Sequence, residues 1–222
     1  MTRTADELRG QYVYGDVLRP ELVRMIPADG RIIGSIGCGT GISEQALVQS
    51  GREVHGVDIS APAIELARTR LTSARVVNPD ERFPFAERSL DGLILADVIE
   101  HIPRAWDVLA DYARMVRVGG WVLISVPNMR HWMTIYHFFL RGDWPEMDSG
   151  IYDRTHLQVM TRKRLIRWCE SAGLEIERWF SRYDPLPKFS RITRTIDLLT
   201  LGLFHNWFMF QLQLIARVRP TK

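Results

Sequence analysis

The segment Gly37-Cys38-Gly39-Thr40-Gly41 sets three glycines at alternate positions directly after the apolar run Ile32-Ile33-Gly34-Ser35-Ile36. A chain leaving a strand through such a loop can turn sharply and bring its backbone against a ligand with no Cβ in the way. The stretch 42–49 that follows reads as a helix, whose first N–H groups are unpaired and face the same ligand. Residues 53–57 read as a second strand, and Asp58 stands at its end. A carboxylate there can accept hydrogen bonds from a ribose diol. The pattern is therefore a β-α-β unit built for a nucleoside. A dinucleotide register, G-x-G-x-x-G, would need glycine at position 42, where the chain has Ile42.

The rest of the chain repeats the alternation. A helix is expected from Pro20, which fits a first helical turn, and a strand over 31–36. Ser60 caps a helix running toward Leu71, and strands follow at 74–77 and 91–96. A helix over 105–116 leads through Gly119-Gly120 to a strand over 121–126, halted by Pro127. Thr161 caps a further helix closed by Gly173, and 174–180 and 208–218 are the last two strands. Strands alternating with helices predict a Rossmann-like, doubly wound α/β fold. Its sheet is expected to be mostly parallel and seven-stranded, with helices on both faces and an inserted helical lid after the fifth strand. One domain, 1–222, is expected, with an aromatic-rich acceptor-binding lid at 129–160 and a second lid-like insertion at 184–207.

In that second insertion Ile192, Ile196, Leu199 and Leu203 share one helical face. The face suits core or lid packing. It equally suits a cover over an apolar substrate or a membrane surface, with Lys188, Arg191 and Arg194 alongside. The net charge of +3 is small and the cationic residues are scattered, which argues against nucleic acid as a main partner. Two cysteines, Cys38 and Cys169, give neither a disulfide framework nor a metal set, and Cys38 is expected to pack as a small residue. No stretch is long and apolar enough to span a bilayer, and the first residues lack the apolar core of a signal peptide. The expected compartment is the cytoplasm, and a homodimer is compatible with the chain.

At the glycine loop the chain resembles the class I S-adenosylmethionine-dependent methyltransferases, whose first motif commonly reads acidic-x-G-C-G-T-G. The likeness runs from about Tyr12 to Phe180. Phe83-Pro84-Phe85 with Ser89-Leu90-Asp91 is similar to the family's third motif, which points to Asp80, or else Asn78, as the partner of the adenine amine. Asp97-Val98-Ile99-Glu100-His101 resembles the fourth motif, and ubiquinone-pathway O-methyltransferases share its acidic-x-x-Glu-His pattern. In those enzymes such residues can hold a divalent cation, while many relatives keep the pattern without one, and no metal is expected here. The run 150–157, after Ser125-Val126-Pro127-Asn128, is similar to small bacterial methyltransferases of polysaccharide and secondary-metabolite clusters.

The resemblance implies S-adenosylmethionine as cofactor, held by Tyr14, Ser35, Gly37, Gly39, Gly41, Asp58, Ile59, Asp80 and Asp97. It implies methyl transfer to an oxygen, with nitrogen second, of a small and partly apolar biosynthetic intermediate. His156, flanked by Asp153, Arg154 and Thr155, is the expected general base, because imidazole titrates near neutrality. His101 is the second catalytic candidate; His131 and His137 are weaker ones. One departure stands out. The family usually carries Asp or Glu where this chain has Ser35, and a hydroxyl brings no charge to the methionine end of the cofactor. That departure supports an alternative, a non-catalytic or regulatory methyltransferase-like partner in a biosynthetic pathway.

Overall fold

The structure is a computed structural model that describes residues 16–77, 83–183 and 187–220. The expected Tyr14, Asn78 and Asp80 lie outside these residues. In chain order the elements begin with α1 (Pro20–Met25), β1 (Ile32–Ile36), α2 (Gln45–Gln49), β2 (Glu53–Asp58), α3 (Ala61–Ala67) and β3 (Ser73–Val76). The central part holds β4 (Leu90–Ala96), a 3-10 turn (Ile99–His101), α4 (Ala105–Met115) and β5 (Val116–Pro127). After it come α5 (Trp132–Ile135), a π turn (Tyr136–Leu140), α6 (Arg162–Ser171), β6 (Leu174–Tyr183), α7 (Pro187–Leu199), α8 (His205–Phe208) and β7 (Met209–Val218).

The seven strands form one sheet in the order β3-β2-β1-β4-β5-β7-β6. The first five pair in parallel, and β7 runs antiparallel between β5 and β6. This is the mostly parallel, doubly wound sheet expected from the sequence. Its burial follows from the strand period of two. Leu93, Leu95, Val122 and Ile124 point to one face, where Leu109 and Tyr112 of α4 and Leu165 and Cys169 of α6 cover them. Ile94, Trp121 and Leu123 point to the other, against Leu22 and Met25 of α1, Leu47 of α2 and Ile64 of α3. Strands buried on both faces read as apolar runs without alternation, as the sequence over β4 does.

The differences from expectation are local. The first crossover helix begins at Gln45 rather than Ile42, because Gly41, at φ +70°, still belongs to the loop and residues 42–44 turn before the helix closes. The helix capped by Ser60 ends at Ala67, after which Thr69 N and Arg70 N donate to carbonyls three residues back and Leu71 N closes on Ala67. Strand β5 starts at Val116, and Gly119-Gly120 is a bend within it, where the register against β4 shifts between Leu90 and Gly92. The insertion after β5 is helical only at its start: Gly142, Pro145 and Gly150 leave 141–161 irregular. The stripe on α7 does not enter the core. Ile192 and Leu199 are exposed, while Thr193 and Asp197 turn inward, Asp197 accepting from Tyr183 Oη at 2.6 Å.

Candidate functional site

The glycine loop leaves β1 at the point where the sheet order reverses, between β1 and β4, and ligands in open α/β sheets sit beyond the strand ends there. Its conformation is tied to β2. The N–H groups of Gly37 and Cys38 both donate to the Val57 carbonyl, at 2.8 and 3.1 Å. Gly37, at φ +68°, has no room for a side chain, since a Cβ would overlap Val98 Cγ2. Gly39, at φ +52°, faces open space instead. Asp58 braces the loop: its carboxylate accepts from Gly39 N at 2.8 Å and from Ser60 N at 2.9 Å. Burial holds that carboxyl above its usual value, and the backbone donors of Ser60, Gly39 and Ile59 only partly offset this. Cys38 is buried and its thiol is pushed far up by burial, so it packs and does not attack.

A cavity of about 480 Å³ opens from this loop, within the range of small-molecule sites. Gly37, Gly39, Thr40 and Glu44 line one end, Asp97 the middle, and Glu100, His101, Asp153 and His156 the other. The expected Ser35 is buried under the loop, donating to Glu44 Oε1 at 2.7 Å, and Gly41 packs on Leu71. Of the expected cofactor residues that the structure describes, Gly37, Gly39 and Asp97 line the cavity, while Ser35, Gly41, Asp58 and Ile59 lie behind or beside it.

Asp97 stands at the end of β4 with φ +57°, a conformation uncommon outside glycine and often met at functional sites. Its carboxylate takes Arg19 Nη1 on Oδ2 and Gln211 Nε2, at 2.9 Å, on Oδ1. Arg19 also reaches Gln211 Oε1 at 2.9 Å and Glu21 at 3.1 Å, so α1, β4 and β7 share one polar network. Sequence reasoning missed Arg19, Glu44 and Gln211. One signal was available: Gln211 and Gln213 sit two apart in an otherwise apolar strand, as residues do when a buried face carries a polar site.

At the far end Glu100 is fully buried, and neither carboxylate oxygen has a hydrogen-bond partner among the described residues. Burial, reinforced by the Asp97 carboxylate, holds its carboxyl well above the usual range. Its own carbonyl anchors the insertion by accepting from Leu157 N at 2.8 Å and Gln158 N at 3.0 Å. His156 is thereby brought beside His101, with ring centroids 4.8 Å apart. The ligand atoms of Glu100, His101 and His156 all lie within 4.8 Å of one another, and two imidazoles with a carboxylate are a donor set that suits a divalent cation.

His156 Nδ1 is 3.2 Å from the Ile151 carbonyl, which suits a donor at Nδ1 and leaves Nε2 as the acceptor. Burial holds its pKa below the ordinary imidazole value, with Asp153 acting in the opposite sense. Thr155 Oγ1 sits between Asp153 Oδ1, at 2.6 Å, and His101 Nδ1, at 3.0 Å. His131 is buried against Phe210, and His137 packs on Tyr152; neither lines the cavity.

Comparison with known proteins gives a consistent picture. A family model described as a methyltransferase domain matches residues 11–178. The ubiquinone biosynthesis O-methyltransferase of Thiobacillus denitrificans is 27% identical over 181 residues, covering 78% of this chain and 77% of that one. The enzyme of the same name from Paracidovorax citrulli is 29% identical over 175 residues, covering 74% and 72%. Among solved structures, a SAM-dependent methyltransferase from Methanosarcina mazei has a TM-score of 0.63 at 18% identity, covering 92% of this chain and 99% of that one. Another from Archaeoglobus fulgidus has a TM-score of 0.59 at 19% identity, covering 84% and 86%. The last two likenesses concern the fold.

Proposed function

The chain belongs to this methyltransferase-domain family, and from that premise we propose that it moves a methyl group from S-adenosylmethionine to an oxygen of a small biosynthetic intermediate. The carrying observation is the single cavity that runs from the glycine loop to the Glu100-His101-His156 cluster. The residues suit the donor. Gly37 and Gly39 give close backbone approach, Asp58 braces them from behind through Gly39 N, and Asp97 stands between the two ends. S-adenosylmethionine, when bound, supplies an electrophilic methyl on a sulfonium.

The protein's part is to align an acceptor and take its proton. His156, kept neutral by burial, is the group that accepts a proton from an acceptor hydroxyl at Nε2. Its orientation comes from Ile151, and the insertion that carries it is fixed by the Glu100 carbonyl. Residues 129–160 act as the acceptor-binding cover, contributing Ser149, Gly150, Asp153 and His156 to the cavity. The described part of 184–207 acts as a second cover. Outside the cavity itself the two insertions expose Phe138, Phe139 and Leu140 on one and Leu198, Leu199 and Leu201 on the other, and we place the acceptor's apolar part against that surface. No helix among the described residues is long and apolar enough to cross a membrane.

The relatives named as enzymes, matched over about three quarters of their length, give no support to a non-catalytic role. Two measurements test the proposal together. Calorimetry should detect S-adenosylmethionine and S-adenosylhomocysteine, and labelled methyl should pass from the first to a hydroxyl-bearing acceptor pool. Absence of binding at ~1 mM, an affinity of only about −4 kcal/mol, would sink it.

A further inference from the structure

The methyl donor carries an α-ammonium, and a buried cation needs a carboxylate or comparable partner. Ser35 offers none. Four carboxylates line the cavity: Glu44, Asp97, Glu100 and Asp153. Asp97 already faces the Arg19 guanidinium, and Asp153 is taken up by Thr155. Glu100 lies at the end that holds the two histidines. Glu44 differs from all three. It stands at the glycine-loop end, three residues beyond Gly41, and Gln45 N donating to the Gly41 carbonyl at 2.9 Å closes the turn that carries it. The hydroxyl of Ser35, a neutral donor, donates to Glu44 Oε1 at 2.7 Å.

Taking the S-adenosylmethionine reading as its basis, we infer that Glu44 is the carboxylate that receives the donor's α-ammonium, with Ser35 holding it in place. The acidic group missing from the end of β1 is thus supplied from the mouth of α2, one hydrogen bond away. Burial, with a smaller push from the Asp58 carboxylate, holds the Glu44 carboxyl above its usual value, while the Ser35 hydroxyl and the nearby charge of Arg19 pull it back. An ammonium arriving beside it would complete the ion pair that a buried carboxylate needs. Arg19 lines the same end of the cavity, which puts a cation near the donor's own carboxylate as well.

The test is a cycle on both protein and ligand, read by calorimetry. Ligands are S-adenosylhomocysteine and its desamino analogue, which keeps the carboxylate and lacks the ammonium. Proteins are the wild type, Glu44→Gln and Glu44→Met. The wild type should prefer S-adenosylhomocysteine by ~10-fold or more, the scale of a charge-assisted bond. Both variants should bind the two ligands equally, with the desamino analogue held within about threefold of its wild-type affinity. Equal wild-type affinity for both ligands overturns the inference. So does a variant that weakens both ligands alike, since Glu44 would then be a structural strut. If either variant does not fold, the other carries the comparison; if neither folds, Glu44 is a strut and the inference falls. A wild type that binds neither ligand refutes the S-adenosylmethionine reading itself, a distinct result.

Discussion

The two ends of the cavity are built differently. The glycine-loop end is made mostly of backbone: Gly37 and Cys38 donate to Val57, Gly39 donates to Asp58, and everything involved lies within about twenty residues of sequence. The far end is made of side chains gathered from distant segments, with Glu100 on the 3-10 turn after β4 and His156 on an irregular insertion more than fifty residues later. Backbone geometry tolerates little change, because a glycine at positive φ has no equivalent replacement. Side chains on a long loop can be exchanged at lower cost, and a fold that keeps one end fixed can vary its acceptor at the other.

The comparison can be broken in order of expected effect. Gly37→Ala should be the most damaging change, since the new Cβ meets Val98 and must also adopt φ +68°. Overpacking and the left-handed backbone together should cost about 3 kcal/mol in denaturant unfolding, with cofactor binding lost. Adding Val98→Ala should return part of that stability; no recovery would mean the backbone alone sets the cost.

His156→Ala should lower turnover by ~100-fold while cofactor affinity and stability stay close to wild type. Its acid limb has a definite sign. The imidazole is depressed in the folded state, so activity should be flat above the ordinary value of about 6.5 and fall only at lower pH. Stability follows the same direction: the unfolded chain binds that proton first, so the depressed pKa costs stability as pH falls through the window between the two values. A pH–rate profile whose acid limb lies above 6.5 would contradict this.

Glu100→Gln sharpens the far end. Burial pushes the Glu100 carboxyl toward its neutral form, which the nearly isosteric amide copies, so turnover should change by less than ~3-fold. A fall that millimolar Mg²⁺ or Zn²⁺ relieves in the wild type after chelation, but not in the variant, would instead assign a cation to the three-residue cluster. The smallest effect is expected on the surface. Leu201→Ser, at a side chain 95% exposed, should leave stability within about 0.5 kcal/mol. If the second cover receives an apolar acceptor, the KM for that acceptor should rise while cofactor affinity does not.

The same contrast explains what could be read from the sequence. Glycine spacing, strand periodicity and the Ser60 and Thr161 caps are local signals, and each reports a local structure that exists: Ser60 Oγ accepts from Ala63 N and Thr161 Oγ1 from Arg164 N. The nucleoside loop was therefore legible in detail. Arg19 and Glu44 were not, because each becomes part of the site only through a partner set by the fold, Asp97 for one and Ser35 for the other. The stripe of α7 shows the limit of periodicity. Ile192, Ile196 and Leu199 share a face as expected, but a period says only that residues point together, and here they point to solvent while Thr193 and Asp197 point in. The histidine pair was half legible, since the motif named His101 and the insertion named His156 without relating them.

The antiparallel strand β7 has a consequence for biosynthesis. It enters between β5 and β6, and its first residues bring Gln211 and Phe210 to the cavity. A nascent chain emerging in order from the ribosome can form the glycine loop and its five parallel strands early. Until the segment reaching Val218 has emerged, however, β5 lacks its β7 neighbour and Asp97 lacks the Gln211 amide, keeping Arg19 and Ser125. A chain cut before β7 would thus own the nucleoside loop without the strand that brings Gln211 to Asp97.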